Sequence, residues 1–199
     1  MRYPGGFLLI YFVLYLGLAF VWRSMVVYRR TGINPIRLPA TDDAHGYVGR
    51  MFKGLLLLCM LYLLAQTYVS EVSLFLPPIG FLENEYGHVL GWFILSVSGF
   101  VLVLAQAQMG LSWRIGLDAE SPGPLVTHGL FSYTRNPIFL SMRLNLLGWM
   151  CLLPNLFTLL LLVCSELLIQ IQVRLEETHL PQLYGAAYEA YRAQVPRWW

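Results

Sequence analysis

The sequence predicts an all-α fold, a polytopic transmembrane bundle of about five helices. Three observations predict it. The 199 residues are 57% hydrophobic and only 12% charged, whereas an ordinary globular domain carries roughly 25% charged residues. The charge deficit falls in long uncharged runs, each close to the roughly 20 residues that cross a hydrocarbon core. The linkers between runs are too short to build a second core, so residues 1–199 read as a single transmembrane domain.

The first run, residues 7–28, holds one charge, Arg23, and closes on Arg29 and Arg30. It is longer than the apolar core of a signal peptide and no small-residue cleavage site follows, so it reads as a retained helix. A polar loop to Gly49 contains Pro35, Pro39, Asp42, Asp43 and His45. The second span is expected over 51–69. Residues 71–86 hold Pro77-Pro78 and the glutamates Glu71, Glu83 and Glu85. Their apolar middle, 74–82, is too short and too broken by proline to cross, and is placed at the membrane interface. The third span, 87–109, opens with Gly87 and Gly91, small residues suited to close helix packing.

A second long loop covers 110–136. The fourth span starts at Pro137, a favoured first-turn residue, and runs to 153. Pro154-Asn155 then turns the chain tightly into a fifth span from 156, which becomes charged at Arg174, Glu176 and Glu177. A short helix is expected over 186–192. There is no internal repeat.

Five crossings put the first loop, the 110–136 loop and the C-terminal tail on one side. That side carries Arg29, Arg30, Arg37, Arg50, Lys53, Arg114, Arg135, Arg174, Arg192 and Arg197, against Arg2 alone on the other. Positive loops stay inside, so the N-terminus is expected outside and the C-terminus in the cytoplasm. Arg143 and Glu166 fall within spans, where charge is costly and usually paired. They are equidistant from the Pro154-Asn155 turn, at about 16 Å by helical rise, so they are expected to pair and lock two helices. Glu166, Gln170 and Arg174 extend that pair as an i, i+4 stripe.

Composition also excludes. A net charge of +2 and the lack of a basic run interleaved with aromatics argue against a nucleic-acid partner. Cys59, Cys151 and Cys164 lie inside apolar runs and read as packing residues. His45, His88, His128 and His179 are scattered, with no metal-ligand spacing. The partners expected are the lipid bilayer and a lipophilic or lipidated small molecule.

The unusual residues gather in two segments. One is Pro124-Leu-Val-Thr-His-Gly-Leu-Phe-Ser-Tyr-Thr-Arg-Asn-Pro137; the other is Arg174-Leu-Glu-Glu177 with Tyr184-Gly185, Tyr188, Tyr191-Arg192 and Val195-Pro196-Arg197. They sit at the cytoplasmic ends of one hairpin, so they must be neighbours. The amides opening a helix at Pro137 have no partners within it and carry partial positive charge, which suits a carboxylate or phosphate. Arg135 stands beside them for a bidentate contact, and Phe131 and Tyr133 offer flat faces for a purine or a cation. Glu176 and Glu177 oppose the dipole at a helix end, so an ammonium, a ribose or nearby arginines must offset them. The plainer reading of each residue taken singly is an interface anchor.

The ordered set Leu125-Val-Thr-x-Gly-x-Phe131, Tyr-x-Arg-Asn-Pro137, Glu176-Glu177 and Tyr184-Gly-x-x-Tyr-x-x-Tyr-x-x-x-Val-Pro196 resembles the isoprenylcysteine carboxyl methyltransferases, grouped with the phospholipid methyltransferases. The resemblance covers about 109 to 199. It implies an integral membrane enzyme that moves a methyl group from S-adenosyl-L-methionine (SAM) to a lipophilic acceptor, with 110–199 as the cofactor-binding half. It implies cofactor contacts from Leu125, Val126, Phe131, Asn136, Pro137, Ile138, Phe139 and Glu176, to which Tyr133 and Arg135 are added from their chemistry. Arg174 would hold the acceptor's reacting group and Glu177, by location, would be a base. Asn136 stands where the family often has His, and Phe139 where it often has Tyr; His128 replaces a small residue.

Methyl transfer from a sulfonium needs chiefly positioning and exclusion of water. A carboxylate acceptor needs no base, whereas an ammonium must lose a proton. Two other classes remain open: an NADPH-dependent sterol or steroid reductase, for which the chain is short, and a non-catalytic membrane partner that keeps the scaffold.

Overall fold

The computed structural model describes residues 5–36, 42–69, 71–116 and 123–198. Arg2, Arg37 and Pro39 lie outside the described residues. Helix α1, Gly5–Thr31, is one apolar rod whose middle turn, Gly17–Trp22, widens to π geometry. It ends at Gly32, whose φ of 69° caps the helix in the left-handed region, where glycine carries no Cβ penalty.

Helix α2, Ala44–Tyr68, begins well before residue 51, where the hydropathy pattern placed it. Asp43 is the reason: its Oδ1 accepts the Gly46 amide at 2.8 Å, a side-chain N-cap that outweighs the two glycines of the first turns. A single turn, α3 (Val72–Phe75), follows in the segment expected at the interface. Helix α4 is Glu85–Met109, capped by Asn84. Helix α5 is Pro137–Leu152, with proline in its first turn. Asn155 and Thr158 form a reciprocal capping box that opens α6, Leu156–Tyr184. Gly185, at φ 55°, separates it from α7, Ala186–Gln194.

Among the described residues, four helices are long and apolar enough to span a bilayer. The fifth expected span, α5, has 16 residues, or roughly 24 Å of helix, short of the roughly 30 Å core. It survives as the most intimately packed helix instead. Gly91 of α4 and Gly148 of α5 let the two backbones approach: a Cβ on Gly91 would lie 2.7 Å from Leu152 Cγ, and one on Gly148 2.6 Å from Leu95 Cδ2. Small residues are the usual means of such contact in membranes, where apolar burial gives no drive between helices. Helix α1 packs on α2, and α6 packs on both α2 and α5.

Several polar groups inside the bundle pair with one another, as hydrocarbon favours. Tyr15 Oη and Ser141 Oγ are 2.8 Å apart, Ser98 donates to the Ser141 carbonyl at 2.8 Å, and Asn145 Nδ2 donates to Tyr11 Oη at 3.0 Å. The outer faces are the reverse of a soluble protein's, with Phe7, Leu57, Phe93, Phe100, Leu160 and Leu167 all exposed. An apolar surface of this extent is covered by lipid, and the protein is an integral membrane protein.

The loops pair by end. The Ile115 amide donates to the Pro35 carbonyl at 2.9 Å, joining the first and third loops. At the opposite end, the Ile79 amide donates to the Pro154 carbonyl at 2.6 Å. That is the pairing expected when α1, α2, α4, α5 and α6 alternate in direction.

Candidate active site

The loop end of the bundle holds a cavity of about 620 Å³. Its floor reaches into the membrane region between α1, α2, α5 and α6, lined by Phe12, Tyr15, Phe52, Leu56, Cys59, Leu146 and Trp149. Its mouth is polar, with Asp43, His45, Lys53, Arg114, Arg135, Asn136, Glu176, Glu177 and His179. The wider π turn of α1 contributes Ala19 and Phe20, and the Ala19 carbonyl accepts from buried Gln106 at 2.8 Å.

Most residues singled out from sequence meet here. Leu125, Val126, Phe131, Arg135, Asn136, Pro137, Ile138, Phe139, Glu176 and Glu177 all line the cavity. Glu176 is held by Gln172, whose Nε2 donates to Oε1 at 2.8 Å. Phe131 is fixed from behind by Tyr191, whose hydroxyl donates to the Phe131 carbonyl at 2.7 Å. Burial pushes the Tyr191 phenol up to about 12, so it stays a neutral donor at any physiological pH.

Four residues depart from their expected places or partners. Tyr133 is 75% exposed and does not line the cavity, because the 3₁₀ turn Gly129–Ser132 turns Phe131 inward and its neighbour two positions on outward. Arg174 is also off the cavity wall: it lies on another face of α6, where its Nη1 donates to Gln170 Oε1 at 2.6 Å. Glu177 was expected as a base, but its lone pairs are taken. Oε1 accepts from Arg135 at 3.0 Å and from Asn136 Nδ2 at 3.3 Å; Oε2 accepts from Arg197 at 2.7 Å. A carboxylate held between two guanidiniums favours its charged form and is a poor proton acceptor. Arg135 is spent in the same cluster. Besides Glu177 it donates to the carbonyls of Val195 at 2.6 Å and Arg192 at 3.3 Å, which leaves little of its fork for a ligand.

The cluster ties the chain's last residues over the site. The Arg135 amide donates to the Pro196 carbonyl at 3.0 Å, and Thr134 Oγ1 donates to that of Arg197 at 2.9 Å. The hydrogen bond to Glu177 raises the Arg197 pKa further, so its charge is permanent. Across the mouth, Tyr184 Oη donates to the Gly123 carbonyl at 2.7 Å.

Two residues were overlooked by sequence reasoning. His45 opens α2 and His179 lies on α6; their rings meet edge to face with centroids 4.9 Å apart. The signal for His179 was its i, i+3 spacing from Glu176, which puts both on one helix face. Nothing in the sequence could bring His45 to it.

The expected intramembrane pair is present: Arg143 Nε donates to Glu166 Oε2 at 2.8 Å. Gln170 Nε2 continues the stripe to Glu166 Oε1 at 2.8 Å, and Trp198 lies under the Arg143 guanidinium at 4.5 Å. None of Arg143, Glu166 and Gln170 lines the cavity, which fits a lock between helices.

Fold and site together define an integral membrane helical bundle with one large cavity at its loop end, polar at the mouth and apolar at depth. Residues 86–187 match the family of phospholipid methyltransferases, and the chain belongs to that family. It is also 32% identical over 95 residues to the protein-S-isoprenylcysteine O-methyltransferase of Schizosaccharomyces pombe (strain 972 / ATCC 24843), a match covering 47% of this chain and 40% of that protein. The chain thus spans well under half of that relative's length. No solved structure matches the chain.

Proposed function

We propose that the protein is a SAM-dependent methyltransferase whose acceptor is lipophilic and enters from the bilayer. The carrying observation is a cavity with two unlike limbs, walled in part by the residues that the family resemblance assigns to the cofactor. A charged, water-soluble cofactor suits the polar mouth, and an apolar chain suits the floor between Phe12 and Trp149. A cavity of this size is in the range that holds a cofactor-sized ligand.

In this reading, 110–199 is the cofactor-binding half. Leu125, Val126, Phe131 and Phe139 cover the adenosine, and the open amides of Ile138 and Phe139 at the start of α5 attract the methionine carboxylate. Glu176 holds the ammonium or the ribose. Arg135, Asn136 and Glu177 frame the site through the tail, and Lys53 is a further cation at the mouth, placed to meet a ligand. Bound SAM supplies an activated methyl group, and the protein's part is to align the acceptor and exclude water. The site faces the cytoplasm, with the N-terminus outside, by the excess of Lys and Arg at the loop end.

Calorimetry on detergent-solubilised protein tests the cofactor. SAM and S-adenosylhomocysteine should bind. Glu176→Ala should weaken both by about 10- to 150-fold, the loss of one charge-assisted contact of about 1.5–3 kcal/mol. Binding of NADPH with no response to either adenosyl ligand would transfer the reading to the reductases. Silence toward all three in folded protein would favour a non-catalytic partner. Orientation is tested with single cysteines on intact cells: an impermeant reagent should label positions 83–85 and spare 42–43.

A further inference from the structure

We propose that His179 and His45 form the proton-accepting pair of this site, and that the acceptor is therefore a lipophilic thiol or amine rather than a carboxylate. The proposal rests on the methyl-transfer reading above.

The geometry is specific about His179. Its Nδ1 lies 3.0 Å from the Leu175 carbonyl. A carbonyl only accepts, so Nδ1 carries the proton and the neutral ring keeps its lone pair on Nε2. His179 lines the cavity one turn beyond Glu176, about 4.5 Å along the helix. The reagent's charged end and a base with a fixed tautomer thus share one wall.

His45 completes the arrangement. Its Nε2 is shielded from solvent and has no hydrogen-bond partner, an omission that costs free energy unless something fills it. It heads the stripe His45, Gly49, Phe52, Leu56 and Cys59, by which α2 lines the cavity. An acceptor whose chain lies along that stripe presents its head to both rings. Asp43 is the charged group that acts on His45 from its own helix end, and His179 acts from α6; Lys53, Arg114 and Glu176 share the wall.

The reaction balances without a further reagent. The acceptor's sulfur or nitrogen bonds to the sulfonium methyl, and the methyl–sulfonium bond breaks with its electron pair passing to sulfur. S-adenosylhomocysteine leaves uncharged. The acceptor's proton passes to His179 Nε2 and then to water. A carboxylate acceptor would give this pair nothing to do. Glu177, with its lone pairs occupied, cannot take the role.

The test uses the full chain in detergent, methyl-labelled SAM, and three probes: hexadecanethiol, hexadecylamine and N-acetyl-S-farnesylcysteine. Label should pass to the thiol or the amine, and the product tells which. The rate should rise with pH along a limb set by a histidine base. His179→Gln should lower that rate by about 100-fold, remove the limb and leave SAM affinity unchanged; His45→Gln should move its midpoint. If His179→Gln does not fold, the wild-type pH profile and His45→Gln carry the test. Transfer to the farnesylcysteine carboxylate alone, or a wild-type profile without such a limb, overturns the proposal. Wild-type protein that binds no SAM would instead sink the methyl-transfer reading itself.

Discussion

Helix α6 carries two acidic residues in ion pairs, and the two are built on different terms. Glu177 lies 8% exposed between Arg135 at 9% and Arg197 at 34%, while Glu166 and Arg143 are 34% and 24% exposed. The first pair system is densely bonded by protein: two guanidiniums, an Asn136 amide and the tail's carbonyls. The second is a contact away from the cavity wall, extended by Gln170 and by the ring of Trp198. Burying a charge is tolerable only when its partners and hydrogen bonds are nearly complete. The inner cluster therefore cannot lose a member cheaply, whereas the outer pair can relax or draw on its neighbours. The comparison separates what holds the site's shape from what holds two helices together.

Three sets of substitutions would break or sharpen that contrast. The largest effect is expected from Glu177→Ala, which strands two guanidiniums and frees the tail. Breaking a buried pair of this kind costs about 3–5 kcal/mol, so thermal unfolding in detergent should show a large loss of stability. The Arg197→Ala change, at the more exposed partner, should cost less. Equal losses from both would show that the cluster is not centred on Glu177.

The intermediate effect concerns Arg143 and Glu166. Polar contacts between membrane helices average about 0.6 kcal/mol and reach about 1.7. Each single alanine variant should lower the unfolding temperature modestly, and the charge-swapped double variant should recover what either single loses. Singles that express and melt like wild type, with no gain from the swap, would remove the lock.

The smallest effect is expected from Arg174→Ala. Its side chain is off the cavity wall and bonded to Gln170, so SAM affinity and turnover should both stay near wild type. A loss of turnover with SAM binding intact would restore the acceptor-holding role that its sequence position suggested.

The sequence alone determined that the chain is helical and membrane-bound, because uncharged runs of bilayer length have few other fates. It located the hairpin at Pro154-Asn155, and with it the Arg143–Glu166 pair, since helical rise converts equal spacing from a turn into equal depth. One wall of the cavity was also legible, because its residues are local to the opening of α5 and the end of α6; the walls from α1, α2 and α4 were not. Only the tertiary structure decided which charges are available. Arg135 and Glu177 are adjacent to a site in sequence but consumed by one another, and hydrogen-bond partners are not written in a linear pattern. Arg174 and Glu176 are two residues apart, so helical geometry sends them to different faces. His45 and His179 are 134 positions apart in the chain, and only the packing of α2 on α6 brings their rings into contact.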